Sequence, residues 1–177
     1  MSTSKDNILV FPDGRLVWQG RSMRCAIGKR GALPAEQKRE GDGATPIGRW
    51  PLRRLYYRAD RVPQPETSLA SQPLQPQDGW CDAPTDANYN RFVQHPHPTR
   101  AERLWREDNI YDLIVPLGYN DDPVVPGRGS AIFLHVARPD FAPTEGCVAL
   151  ARQDLLFVLR TLEQETHMMV GYGIEGG

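Results

Sequence analysis

Apolar side chains in this sequence come in short runs that glycine, proline or aspartate soon ends, and this punctuation limits the fold more than any other feature. Ile8–Phe11 and Leu16–Trp18 flank Pro12-Asp13-Gly14-Arg15, and an Asp-Gly turn between two short runs signals a β-hairpin. Met23–Ile27 reads as a third strand before Gly28, and Ile110–Val115 as another. Ala131-Ile132-Phe133-Leu134-His135-Val136 is the most apolar run and the candidate central strand, and Met168–Tyr172 would close a sheet. Lys29 to Gly43 and Gly118 to Gly129 read as loops. Thr45-Pro46-Ile47-Gly48 reads as a turn, and Arg49–Tyr57 as a strand whose start Pro51 pushes to an edge. Four prolines between Asp60 and Gln77 mark a long insertion, a feature usually functional or mobile. One helix is expected, from Arg152 to about Glu165, where Leu155, Leu156, Leu159 and Leu162 form a single stripe. The expectation is a mostly β fold with one late packed helix, residues 1–177 forming a single domain.

A chain of 177 residues buries roughly 70% of its unfolded surface, enough for a core without disulfides or a structural metal. Glycine and proline make up 32 of the 177 residues, about 18% against an average near 12%, which fits a loop-rich β domain and stays below the range of disordered chains. The 21 basic and 22 acidic side chains leave a net charge of −1, unlike the basic excess of sequence-independent nucleic-acid binders. No apolar stretch is long enough to span a membrane. Cys25, Cys81 and Cys147 cannot all pair with one another, and the amino terminus has no basic segment followed by an apolar one. Both features point to a reducing, cytoplasmic setting, with a periplasmic one in its place if an export signal has been trimmed.

His135 at the end of the apolar strand and Cys147 twelve residues later form the strongest chemical constellation. A thiolate is the nucleophilic form of cysteine, and an imidazole can take the thiol's proton or hold the thiolate as an ion pair. Gly146, just before Cys147, lets the backbone approach a carbonyl closely. A helix beginning soon after Cys147 would aim amides at the same spot, lowering the thiol pKa and supplying oxyanion donors, with the Gly146 and Val148 backbone as candidates. The plainer alternative is a buried structural cysteine and a satisfied strand histidine.

Ile132-Phe133-Leu134-His135 followed by Thr144-Glu145-Gly146-Cys147-Val148 resembles the signature of the L,D-transpeptidase (YkuD-domain) family, an apolar strand ending in His, a short loop, then Ser/Thr-x-Gly-Cys-Ile/Val. Thr45-Pro46-Ile47-Gly48 resembles the family's Thr-Pro-x-Gly element, so the likeness runs from about Ile8 to Val170. It implies a β-sandwich-like catalytic domain with a helix after the cysteine, Cys147 as nucleophile, His135 as base, no cofactor, and a backbone carbonyl that holds the imidazole. The implied substrate is the diaminopimelate–D-alanine bond of a peptidoglycan stem. Water attacking the Cys147 thioester gives an L,D-carboxypeptidase that recycles soluble muropeptides, whereas a second stem's amine gives a periplasmic cross-linking transpeptidase. From a different class, a catalytically silent cell-wall binding module would keep the fold alone. Two positions depart from the family pattern: Ala149 stands where Arg is common, and Glu145 where His is often found.

A substrate with carboxylates needs a cation, so Arg138, then Arg152, are the expected replacements for the arginine absent at Ala149, with Thr144 and Trp80 as further candidate contacts. Gly79-Trp80-Cys81-Asp82 and Tyr89-Asn90-Arg91 read as possible walls of a groove. His95-Pro96-His97 with Cys81 and Asp82 imitates a zinc site, but Pro96 and Pro98 already account for a rigid loop, and no metal is expected. Cys25 reads as a small buried hydrophobe.

Overall fold

A computed structural model describes residues 6–171. The Asp-Gly hairpin forms between β1 (Asn7–Phe11) and β2 (Arg15–Trp18), and β3 (Arg21–Ala26) continues the antiparallel meander. There follow β4 (Ala32–Pro34), β5 (Thr45–Pro51), β6 (Leu55–Tyr57), β7 (Ser71–Pro73), β8 (Asp78–Cys81), β9 (Phe92–Gln94), β10 (Ala101–Arg103) and β11 (Leu113–Pro116). The chain ends with β12 (Phe133–Val136), β13 (Val148–Leu150), α1 (Arg152–Thr161) and β14 (His167–Val170). Tyr172, expected in the last strand, lies outside the described residues.

Eleven strands form one sheet in the order β4-β5-β14-β1-β2-β3-β13-β12-β11-β6-β7, and β10-β8-β9 form a small second sheet. The large sheet coils on itself. Ile8, Val10, Met168 and Val170 from one half share a core with Leu113, Val115, Leu134, Val136, Val148 and Leu150 from the other, and α1 adds Leu155, Val158 and Leu159. The mostly β, sandwich-like architecture with a helix after the cysteine is therefore present.

Several local expectations change. Thr45–Gly48 is strand, because β5 pairs in parallel with β4 and antiparallel with β14. The polar stretch from Lys29 to Gly43 supplies β4, and Arg49–Tyr57 is split between β5 and β6. The Pro-rich insertion is held down: β7 pairs with β6, and the Ser68 hydroxyl donates to the Leu162 carbonyl at 3.0 Å. The helix ends at Thr161, where Leu162 turns extended and puts its side chain in the core.

Period-2 alternation fixes the functional face. On β12 and β13, Leu134, Val136, Val148 and Leu150 point into the main core, so Phe133, His135 and Ala149 point the other way. The two strands are parallel, with His135 opposite Ala149. Gly28 anchors the segment leading to that face. It bridges to Thr144, its amide donates to the buried Thr45 hydroxyl at 2.9 Å, and a Cβ there would stand 2.4 Å from the Gly43 carbonyl oxygen. Since backbone blocks this space on more than one side, Gly28→Ala is expected to cost about 1–3 kcal/mol and to lower Tm by roughly 3–10 °C. Calorimetry checks this; an unchanged Tm would show that the loop is not clamped there.

Candidate active site

Cys147 sits at the end of a turn closed by Thr144. The Thr144 hydroxyl accepts from the Gly146 amide at 3.0 Å and donates to the Cys147 carbonyl at 2.7 Å. The Thr144 backbone exchanges bonds with Ile27 (2.9 Å) and Lys29 (2.8 Å), tying the turn to the segment after β3. Gly146 has φ +137°, and a Cβ there would meet the Ala44 carbonyl oxygen at 2.8 Å, so both conformation and space call for glycine.

The Cys147 thiol donates to the Ala131 carbonyl at 3.2 Å and accepts from the Phe133 amide at 3.4 Å. His135 is buried, and its Nδ1 lies 2.9 Å from the Val136 carbonyl. A carbonyl only accepts, so Nδ1 carries the proton and Nε2 keeps its lone pair. The sequence implied such a carbonyl without placing it. Tyr111 packs edge-on against the imidazole, ring centroids 5.3 Å apart. Cys147 and His135 both line a cavity of about 610 Å³.

Burial dominates the electrostatics. It pushes the Cys147 thiol up to about 12, with the charge of Glu102 adding to the rise and the Phe133 amide opposing it. Burial also takes His135 down to about 4, against the pull of its bond to Val136 and helped by the nearby charges of Arg106 and Arg138. The resting pair is thus neutral thiol and neutral imidazole. The helix does not provide the expected depression of the thiol pKa, because β13 intervenes between Cys147 and α1, a separation of roughly 16 Å at strand rise.

A buried asparagine outside the cavity positions Ala131, which lines it. The Asn90 side-chain oxygen accepts from the Trp80 indole at 2.9 Å and the Ala131 amide at 3.0 Å, while its nitrogen donates to the Tyr119 (3.2 Å) and Asn120 (2.7 Å) carbonyls. Ala131, held this way at φ +56°, presents the carbonyl that receives the thiol. A non-glycine residue there is costly and needs such support.

The expected contacts divide between the cavity and its surroundings. Arg138 and Thr144 line the cavity, although the Thr144 hydroxyl is committed to the turn. The Gly146 amide is likewise taken by Thr144, and Val148 stands in β13 with its side chain in the core. Arg152 lies outside the cavity and pairs with buried Asp112, which Arg61 also holds at 2.9 Å. Trp80 packs on Phe133 and lines a neighbouring cavity of about 450 Å³. Cys25 is buried, its thiol also pushed up to about 12 by burial. Cys81 and His97 do converge, but with Asp86 rather than Asp82, their ligand atoms lying within 4.8 Å of one another. These groups form a hydrogen-bonded knot: Asp86 accepts from Thr99, from the Asn88 amide at 2.7 Å and from His97 at 3.0 Å.

A histidine on β12 and a cysteine just before the parallel β13, both opening into one cavity, fit the family resemblance of the sequence. The model of the L,D-transpeptidase catalytic domain (YkuD) matches residues 1–170. The chain belongs to this family. No individual curated protein and no solved structure matched it. An L,D-transpeptidase-family enzyme acts on peptidoglycan peptides, and among the described residues no helix is long and apolar enough to cross a membrane.

Sequence reading missed Glu102, Arg106 and Tyr111, which also line the cavity. Tyr111 stands just before a strand and Glu102 within a three-residue one, too short to show alternation. Alkylation of Cys147 should therefore rise with pH through 10 without a plateau; a plateau near pH 6–7 would reveal an ion pair instead. The His135 shift has its own sign. An unfolded histidine takes up a proton near 6.5 and the buried one only near 4, so the stability linked to its neutral burial is present above pH 6.5 and is lost as pH falls toward 4, by at most about 3 kcal/mol. Urea unfolding at pH 7 and 4.5 measures this, and His135→Gln should flatten the difference.

Proposed function

We propose that this enzyme is an L,D-carboxypeptidase that removes the terminal D-alanine of monomeric peptidoglycan tetrapeptides. The observation that carries the reading is the neutral Cys147–His135 pair on one face of the β12–β13 ladder, opening into the cavity. His135 Nε2 takes the thiol proton as Sγ attacks the carbonyl at the L-centre of diaminopimelate. The C–N bond breaks, His135 returns the proton to the departing D-alanine amine, and a thioester remains on Cys147. Water, deprotonated by the same imidazole, then releases the tripeptide and restores the thiol.

Competition between acceptors favours hydrolysis. Water stands at about 55 M, whereas dilute soluble muropeptides lack the effective concentration of neighbouring wall strands. One side of the cavity also bears a charged crossing, where Arg100 bonds Asp82 at 3.0 Å and reaches Glu40 at 3.9 Å, and a second stem entering there would have to displace it. Free thiols at Cys25, Cys81 and Cys147 fit a reducing cytoplasm, the setting of muropeptide recycling. Presence of both thiol and imidazole favours an enzyme over a silent binding module, and covalent labelling by a carbapenem separates the two.

Incubation with a disaccharide tetrapeptide, followed by mass spectrometry, tests the reading. Tripeptide and free D-alanine are expected with little dimer; abundant dimer would make the enzyme a cross-linking transpeptidase. Cys147→Ala should abolish turnover while Cys25→Ser and Cys81→Ser retain most of it. His135→Ala should cost on the order of 10²–10⁴-fold. Arg138, half exposed with one 3.5 Å contact to Asp108, has donors left for a substrate carboxylate, so Arg138→Ala should raise KM. An unchanged KM would place the carboxylate clamp elsewhere.

A further inference from the structure

The charged side chains of the Cys147 cavity are paired with one exception. Asp82 is held by Arg100 at 3.0 Å, and Glu40 accepts from Ser130 at 2.7 Å with Arg100 beyond. Glu145 pairs with Lys29 at 2.9 Å. Arg106 grips Asp108 through two bonds of 2.8 and 2.7 Å, and Arg138 adds a looser contact to the same carboxylate. Among the described residues Glu102 alone of this group has no cationic partner within salt-bridge reach; its bond is from the Tyr111 hydroxyl. Its residual exposure is to the cavity that it lines beside Cys147.

Strand register puts it there deliberately. Glu102 lies opposite Trp80 in the β8–β10 pairing, whereas Ala101 lies opposite Cys81. Ala101 and Cys81 pack together on the back of the small sheet, so Glu102 belongs to the face turned toward the cavity. A carboxyl withdrawn from water without a direct ion pair is costly, and desolvation raises its pKa, with the Tyr111 hydroxyl and the more distant charge of Arg106 only partly opposing the rise. A cation brought by a ligand would relieve that cost.

We propose that Glu102 forms the anionic half of a subsite for a primary ammonium of the substrate, with Arg138 in the same cavity taking the adjacent carboxylate. Together they read an amino-acid end group bearing both charges on one carbon. This deepens the reading of the preceding subsection, since the D-centre of the stem diaminopimelate is such a group, and it rests on that reading for the identity of the ligand. Tyr111 holds one carboxylate oxygen of Glu102 and leaves the other for the ammonium. A stem whose amine is acylated would lose the charge and crowd the subsite.

The test compares a tetrapeptide with its derivative N-acetylated at the D-centre amine, using calorimetric binding to Cys147→Ala protein so that turnover is not required. Acetylation is expected to weaken binding by about 10–10²-fold, the usual worth of a charge-assisted hydrogen bond. Adding Glu102→Gln, which keeps the shape and an acceptor for Tyr111, should cost a similar factor for the free amine and nearly abolish the effect of acetylation. Equal acetylation penalties with and without Glu102→Gln would overturn the proposal, as would unweakened binding of the free amine. If Glu102→Gln unfolds the protein, the acetylation comparison in Cys147→Ala alone decides, and equal binding of the two peptides overturns it. Failure to release D-alanine in the unaltered enzyme, with the binding pattern intact, would instead count against the carboxypeptidase reading.

Discussion

The parallel pairing of β12 with β13 is the constraint on which the site depends. With Leu134 opposite Val148 and His135 opposite Ala149, the apolar half of each strand enters the main core. A slip of one residue in either strand would turn His135 or Ala149 into the main core and take its leucine and valine side chains out of it, so the core enforces the register. The thiol and imidazole are brought to one face as a consequence of hydrophobic packing behind them. Parallel strands need a connection that leaves the sheet, and the segment from Ala137 to Gly146 makes this crossing while supplying Arg138 and Thr144 to the cavity.

Burial that secures the geometry also sets the chemistry. A thiol near 12 and an imidazole near 4 store no charge at rest, so proton transfer must accompany attack on the substrate. The imidazole is prepared for this by the Val136 carbonyl, which fixes the tautomer, and by Tyr111, which fixes the ring plane. The thiol is aimed by the Ala131 carbonyl, whose residue is kept in a left-handed conformation by Asn90. Each reacting group is thus oriented by a main-chain oxygen, and main-chain atoms move less than side chains.

Much of this was legible in the sequence because it rests on local patterns. The Asp-Gly hairpin, the apolar strand ending in His135, the Gly-Cys turn and the leucine stripe of α1 are all short-range signals. Thr45–Gly48 was not, since its Thr-Pro and Gly have turn chemistry and only the flanking β4 and β14 make it a strand. Arg152 looked available because charge alone shows no partner, while the fold gives it Asp112 from just before β11, forty residues away. Glu102 was invisible as a functional residue for the same reason, and Asn90 was legible only as part of a possible groove wall, because its bonds to Ala131, Tyr119 and Asn120 join it to segments about thirty to forty residues away.

That small sheet is an unusual wall. Its own apolar cluster consists of Cys81, Ala83 and Val93 with Ala101 against it, too little to hold three strands of three or four residues together. Two other supports compensate. On its back, the Asp86 knot joins the β8–β9 loop to His97 and Thr99 in the β9–β10 loop. On its front, Trp80 packs edge-on against Phe133 and Phe92 stacks on Tyr56, joining the wall to strands of the large sheet. Phe133 therefore serves both layers, since its amide faces the Cys147 sulfur while its ring meets Trp80 and Tyr111. The wall that carries Glu102 is consequently tied to the strand that carries His135 through Phe133, and to β6 through the Phe92–Tyr56 stack.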